Sequence, residues 1–302
     1  MNLSPFSTAI PCDETGPDNF GGHATTATCQ VLRLERGSLT AAEDQVIEEV
    51  PVALVFNGIS HAVMLATPEY LEDMALGFSL SEGILQQRSE LYDVEIQSGC
   101  QGIEVHLDIA TSRFAALKER RRTLAGRTGC GLCGVESLDA VARVQQPVER
   151  GEPIAAACIA RALDQLPEWQ QLHSITGAVH GVAWVDRHGN ILALREDVGR
   201  HNALDKLLGW LAREALDVRE GFLLTSSRAS YEMVQKAAIL GIGCLVAISA
   251  PTALAVRLAE ASQLTLAGFA RGNRLVIYSH GTYLTGDGAA DVARNTAAPA
   301  LN

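Results

Sequence analysis

Residues 237–256 read AAILGIGCLVAISAPTALAV, twenty positions without a charge, and how they divide decides the architecture. The length matches a membrane span of about 20 apolar residues, but the internal grammar does not. Gly241 and Gly243 interrupt the run early, and Ser249-Ala250-Pro251-Thr252 interrupts it late. The stretch therefore splits into the end of one helix, a buried strand, a turn and the start of a new helix. The same alternation continues on both sides. Strand-like 222–225, helical 231–240, strand-like 244–248, helical 252–262 and strand-like 264–267 and 275–278 succeed one another. Strands separated by helices need crossover connections, which implies a largely parallel sheet covered on both faces.

Upstream the rhythm differs. Residues 182–185 and 191–194 flank a turn at Arg187-His188-Gly189-Asn190, and a helix over about 200–216 carries Leu204, Leu207, Leu208 and Leu211 on one stripe. A linker at Pro147 to Pro153 precedes this part. Before it, residues 52–56 and 59–66 flank Asn57-Gly58, the signature of a type I′ hairpin. Thr67-Pro68-Glu69 reads as an N-cap, a proline at the first helical position and an acid in the first turn. Leu71, Met74, Ala75 and Phe78 follow at helical spacing, with Gly83 as the stop. Ile103, Val105, Leu107 and Ile109 alternate with Glu104, His106 and Asp108, a half-buried strand. The expected class is α/β: a tail over residues 1–30, an α+β unit over 31–146, and a mixed or parallel sheet with helices on both faces over 147–302.

A chain of 302 residues suggests roughly two domains. Hydrophobic residues make up 47% and charged ones 20%, which excludes a disordered class. The net charge of −11 argues against nucleic acid as a partner. Only Lys118, Lys206 and Lys236 are lysines, so nearly all positive charge is arginine, suited to bidentate contact with phosphate or carboxylate. Met1 to Cys12 lacks a basic and an apolar leader region, and seven cysteines are too few for a disulfide scaffold of this length. A cytoplasmic protein with no membrane association is expected.

Only Cys130 and Cys133 lie close together, within Gly126-Arg127-Thr128-Gly129-Cys130-Gly131-Leu132-Cys133-Gly134. Gly129, Gly131 and Gly134 spell G-x-G-x-x-G, but a dinucleotide fingerprint follows a strand, and here a basic helical run precedes it. Structural zinc needs about four ligands, and no second C-x-x-C or H-x₃₋₅-H occurs, so no metal is assigned. Thiol–disulfide exchange is a stronger competitor, since this spacing lets one thiol resolve the other. The run from Arg113 to Arg127 holds Arg113, Lys118, Arg120, Arg121, Arg122 and Arg127 against the one acid Glu119. On its own it reads as a solvated helix face. Ahead of the cysteines it would also favour the thiolate, which can accept and pass on sulfur.

A second kind of site is spelled by Glu196-Asp197-Val198-Gly199-Arg200-His201-Asn202, Thr225 to Ser230, and Ser249-Ala250-Pro251-Thr252, each joining a strand to a helix. Ligands of open α/β sheets collect at such ends, where free N–H groups attract anions. Ordinary capping by serine and threonine explains part of this pattern. Phe269-Ala270-Arg271-Gly272-Asn273-Arg274 adds two arginines beside an aromatic, suited to a phosphate-bearing ligand with a stackable base. His201 and Asp197 also read as an acid–base pair, but no nucleophile elbow accompanies them, and the zinc-deaminase signature is missing.

Glu48-Glu49-Val50-Pro51, Gly77 to Gly83, Gly129 to Gly134, Glu196 to Asn202, Ser226-Ser227-Arg228 and Phe269 to Arg274 occur together and in this order. In that combination, over about residues 45–280, the chain resembles the FdhD-type formate dehydrogenase accessory sulfurtransferases, the FdhD/NarQ family. Tyr278-Ser279-His280-Gly281 departs from the family, which more often has Thr and then His-Pro there. The resemblance implies a sulfur carrier that takes persulfide sulfur from a cysteine desulfurase. It would deliver that sulfur to the molybdenum bis-molybdopterin guanine dinucleotide cofactor, a cargo and not a cofactor of its own, needed by formate dehydrogenase. It implies Cys130 as the persulfide carrier and Cys133 as its partner thiol. Phe269, Ala270, Arg271, Gly272, Asn273 and Arg274, with Ser227, Arg228 and His201, would hold the cofactor. It further implies a C-terminal part similar to a cytidine-deaminase fold, and a homodimer. The rival readings are a dithiol oxidoreductase and a non-enzymatic molybdenum-cofactor chaperone.

Overall fold

The computed structural model describes residues 24–125 and 147–286. Cys130 and Cys133, with the end of the basic run, lie outside the described residues. The first half begins with an antiparallel arm of β1 (Thr26–Glu35) and β2 (Ser38–Ile47). Thr26 to Gln30, expected within the tail, instead pair with Ile47 to Glu43. Next come β3 (Val50–Phe56), β4 (Ile59–Ala66), α1 (Leu71–Ser81), β5 (Leu91–Gly99), β6 (Gly102–Ile109) and α2 (Thr111–Ala125). The sheet order is β4-β3-β6-β5. Its hairpin turn carries Asn57 at φ 44° and Gly58 at φ 80°, as a type I′ turn requires. Ile103, Val105, Leu107 and Ile109 face the core with Met74 and Ala75 of α1.

The second half comprises β7 (Ile154–Ala155), α3 (Ala156–Trp169), α4 (Gln171–Thr176), β8 (His180–Asp186), β9 (Ile191–Asp197), α5 (Arg200–Arg213) and β10 (Gly221–Thr225). It continues with α6 (Tyr231–Ile239), β11 (Cys244–Ala247), α7 (Ala253–Ala261), β12 (Thr265–Arg271), β13 (Arg274–Ser279) and β14 (Leu284–Thr285). Six strands form one sheet in the order β13-β12-β11-β10-β8-β9. Only β10, β11 and β12 run parallel; β8, β9 and β13 pair antiparallel. The sheet is therefore mixed, because hairpins and not crossovers connect β8 to β9 and β12 to β13. Leu204, Leu207 and Leu208 of α5 and Met233 of α6 cover one face. Ile159, Ala162 and Leu166 of α3 cover the other. No described helix is long and apolar enough to cross a membrane.

Three local expectations are corrected. Thr67 does not cap α1, which starts at Leu71 behind Tyr70 in the left-handed conformation, φ 54°. Thr67 is fully buried because it is hydrogen-bonded to the segment around Asp197. Residues 147–153 are not a loose linker: Val148 is buried, and its N–H donates to the Ser262 carbonyl at 2.9 Å. Residues 269–271 belong to β12 and not to a turn, which is confined to Gly272-Asn273.

Candidate ligand-binding edge

The three parallel strands end at one edge, and three helices begin there. After β10 the chain turns through Ser226 to Ser230 into α6; after β11 it turns through Ser249 to Thr252 into α7. Ala229 bridges Pro251, and the Thr252 N–H donates to the Ala229 carbonyl at 3.0 Å. The Phe269 N–H donates to the Ser249 carbonyl at 3.1 Å, which ties β12 to the same row. On the other side, His180 opposes Asp197 at the start of β8. Gly181 and Ser226 join β8 to β10, with Gly181 N–H donating to Ser226 Oγ and Ser226 N–H to the Gly181 carbonyl, both at 2.9 Å. From β9 to β12 the edge crosses four strand spacings, about 19 Å.

His201 in the first turn of α5 reaches across to α6. Its Nε2 lies 2.9 Å from Glu232 Oε2 and 3.4 Å from Ser230 Oγ. Its expected pairing with Asp197 is overturned, because Asp197 is fully used elsewhere. Asp197 Oδ1 accepts from the Gly199 N–H at 2.8 Å and Asn202 Nδ2 at 3.0 Å. Its Oδ2 accepts from the Thr67 N–H at 3.0 Å and lies 2.7 Å from Lys206 Nζ. Lys206 also donates to the Thr67 carbonyl at 2.9 Å. Within 196–202, Asp197 and Asn202 thus hold the fold together, and His201 ties the start of α5 to α6.

Two further buried ion clusters line the seam between the halves. Lys236 donates to both Asp205 oxygens and to Ser81 Oγ, each at 2.9 Å. Asp73 takes Arg213 at 2.6 Å and Arg195 at 3.2 Å. Ser81 and Glu82, quoted above as a motif, therefore serve the junction of α1 with α5 and α6. None of these partnerships was expected from the sequence. The available signal was lysine scarcity: two of the three lysines lie inside apolar helices, where a cation needs a partner.

The remaining predicted site residues divide. Phe269 is 47% exposed at φ 53°, and Arg271, Asn273 and Arg274 are exposed on the β12–β13 turn with Gly272 at φ 51°. Ala270 is buried, so only its backbone is available to a ligand. Ser227 is buried too, and its hydroxyl bonds Thr225 Oγ1 and the Arg228 carbonyl, both at 3.0 Å, which shapes the turn. Arg228 is exposed beside it. Arg113 of the basic helix is paired with Glu90 at 2.7 Å, and Arg120 donates to the Glu82 carbonyl at 3.1 Å, so these two are fixed to the body.

Burial pulls the His180 imidazole below its ordinary pKa, with Arg200 as the next cause. Burial does the same to His201, partly offset by Glu232. For both, the unfolded chain takes up protons first as pH falls, so stability rises with pH in that window. The urea midpoint is expected to drop below about pH 6.5, the ordinary histidine value. A His180→Gln/His201→Gln variant should flatten that drop; an unchanged slope would refute the assignment.

The fold and edge define a class: a mixed α/β protein with arginines and helix N-termini at the carboxyl ends of parallel strands. A family model described as FdhD/NarQ family matches residues 47–285. The chain belongs to the FdhD/NarQ family. It is 56% identical over 256 residues to a protein of Cupriavidus necator named Sulfur carrier protein FdhD, covering 85% of this chain and 89% of that one. A Bordetella bronchiseptica protein of the same name is 53% identical over 253 residues, covering 83% and 92%. The fold is also that of a crystal structure from Desulfotalea psychrophila, assigned as a formate dehydrogenase accessory protein. The TM-score is 0.71 at 20% identity, covering 87% of this chain and 100% of that one.

Proposed function

We propose that this chain is a cytoplasmic sulfur carrier, a sulfurtransferase that serves formate dehydrogenase. Cys130 takes sulfur from a cysteine desulfurase as a persulfide, Cys133 acts as its partner thiol, and the sulfur passes to the molybdenum bis-molybdopterin guanine dinucleotide cofactor. The observation that carries this reading is the 56% identity, across most of both chains, to a protein named as a sulfur carrier. Two features support it. Among the described residues the free thiols are Cys29, Cys158 and Cys244, and burial pushes Cys244 up to about 12, which keeps it a poor nucleophile. The cationic edge suits the phosphates of a dinucleotide, and exposed Phe269 suits a base.

The test is to incubate the protein with a cysteine desulfurase and cysteine and to look for one added sulfur by intact mass. The unaltered chain and Cys133→Ala should gain it; Cys130→Ala should not, and should fail to restore formate dehydrogenase. A Cys130→Ala protein that still restores the enzyme would favour a chaperone. A Cys130–Cys133 disulfide that reduces insulin, with no persulfide formed, would favour an oxidoreductase. At the edge, Arg271→Ala and Arg274→Ala should each weaken guanosine diphosphate binding about tenfold, as loss of a charge-assisted contact does. Unchanged affinity in calorimetry would remove the turn from the site. The reading includes a homodimer, which sedimentation would detect.

A further inference from the structure

We propose that two copies of this chain associate through the β1–β2 arm, the apolar outer face of one arm packing on the same face of the other. This deepens the homodimer reading given above and rests on it. The register of the arm sorts its side chains into two faces, because directly opposed residues of an antiparallel pair point the same way. Leu32 lies opposite Ala41 and Leu34 opposite Leu39, so these four share one face at the far end of the ribbon. Leu32, Leu34 and Leu39 are 71%, 66% and 62% exposed. The opposite face carries Ala27, Cys29, Val31 and Ala42, all half-buried, and β2 lies against α4. One face is thus partly covered by its own chain, and the more apolar one is open.

A two-stranded ribbon is marginally stable in water by itself, and leucines gathered on an open face mark a surface for association. The charges select a second copy as the cover. Arg36 stands in the turn with Arg33 just before it, and neither ion-pairs among the described residues. The acids gather toward the other end: Glu43, opposite Gln30 on the leucine face, then Asp44, Glu48 and Glu49. A two-fold axis through position 33 runs the two ribbons antiparallel and sets Leu32 over the partner's Leu34. It also carries Arg36, three residues or about 10 Å from the axis, onto the partner's Glu43, and symmetry repeats both contacts. A basic surface would be repelled by Arg36 and an acidic one by Glu43. The chain's own ribbon, reversed, satisfies both. The stacked faces then lie about 10 Å apart, the spacing that interdigitating side chains fill.

Sedimentation velocity of the full chain over a concentration series tests this. The arm precedes all but one of the residues 47–285 matched by the family model, so the variants leave the thiols and the ligand edge untouched. Leu34→Asp should raise the dimer dissociation constant about a hundredfold, because a carboxylate would be buried twice across the axis. Arg36→Glu should weaken the dimer about fivefold, and Arg36→Glu/Glu43→Arg should restore it, since the exchanged charges meet again. Circular dichroism checks that Leu34→Asp keeps its fold; if it does not, the charge exchange decides alone. If every variant dimerises like the unaltered chain, the arm is not the interface and the homodimer reading survives. If the unaltered chain is monomeric at every concentration, the homodimer reading itself fails. A dimer unaffected by Leu34→Asp, with slower persulfide gain from a cysteine desulfurase, would overturn the proposal and give the arm to that donor.

Discussion

Lys206→Met is expected to lower the unfolding free energy by about 3–5 kcal/mol, the usual cost of halving a buried ion pair. Lys206 and Asp197 are both fully buried. Burial pulls the ammonium below its ordinary pKa in spite of Asp197, so the intact pair is not a large source of net stability. The cost arises because methionine leaves the buried Asp197 carboxyl with three donors in place of four. It also removes the Lys206 donor from the Thr67 carbonyl, which ties the β4–α1 turn to α5. The comparison is Lys236→Met. Burial already pushes the Asp205 carboxyl up, so once Lys236 is gone Asp205 takes a proton at accessible pH. A raised aspartate destabilises the fold in full above its folded pKa, and the cost fades as pH falls from there toward the lower unfolded pKa. The Lys236→Met penalty should therefore shrink from pH 7.5 to pH 5.5. Urea midpoints at the two pH values decide this: a Lys206→Met loss under 1 kcal/mol would show that the buried pair does not fasten the halves.

The same contacts explain what could be read from the sequence. The Asn57-Gly58 hairpin, the alternation from Ile103 to Ile109 and the apolar stripe of α5 were legible because each is fixed by neighbours within a few residues. The role of Thr67 was not. Its partners Asp197 and Lys206 lie 130 and 139 residues away, and locally Thr-Pro-Glu is a good helix start. His180 went unnoticed for a similar reason: it is an ordinary strand residue until the order β10-β8-β9 sets it beside Ser226 and Arg200. The row of strand-to-helix turns was legible in outline, since serine- and arginine-rich breaks separate the apolar strand runs from the helical ones. What the local pattern hid was the division of labour within Glu196 to Asn202, where Asp197 and Asn202 lock the turn while His201 reaches across to Glu232 of α6.

Gly209→Ala is expected to cost about 3 kcal/mol, at the upper end for overpacking, although alanine is otherwise the better helix residue. Gly209 lies in α5 where α1 crosses, and a Cβ there would overlap the carbonyl of Asp73. Gly77 makes the reciprocal approach from α1, its Cβ falling on the Asp205 carbonyl. Backbone stands on both sides of the crossing, so no rotamer change relieves the overlap and the helices must separate. Separation also strains the ion clusters flanking the crossing, because Asp73 reaches Arg213 of α5 and Ser81 of α1 reaches Asp205 of α5. The defect should thus be more than steric: Gly77→Ala/Gly209→Ala should lose less than the sum of the two single losses, since helices parted once need not part again. Thermal and urea unfolding of the three variants measure this. Fully additive losses would mean that the two contacts yield independently and that α1 and α5 do not meet as one rigid seam.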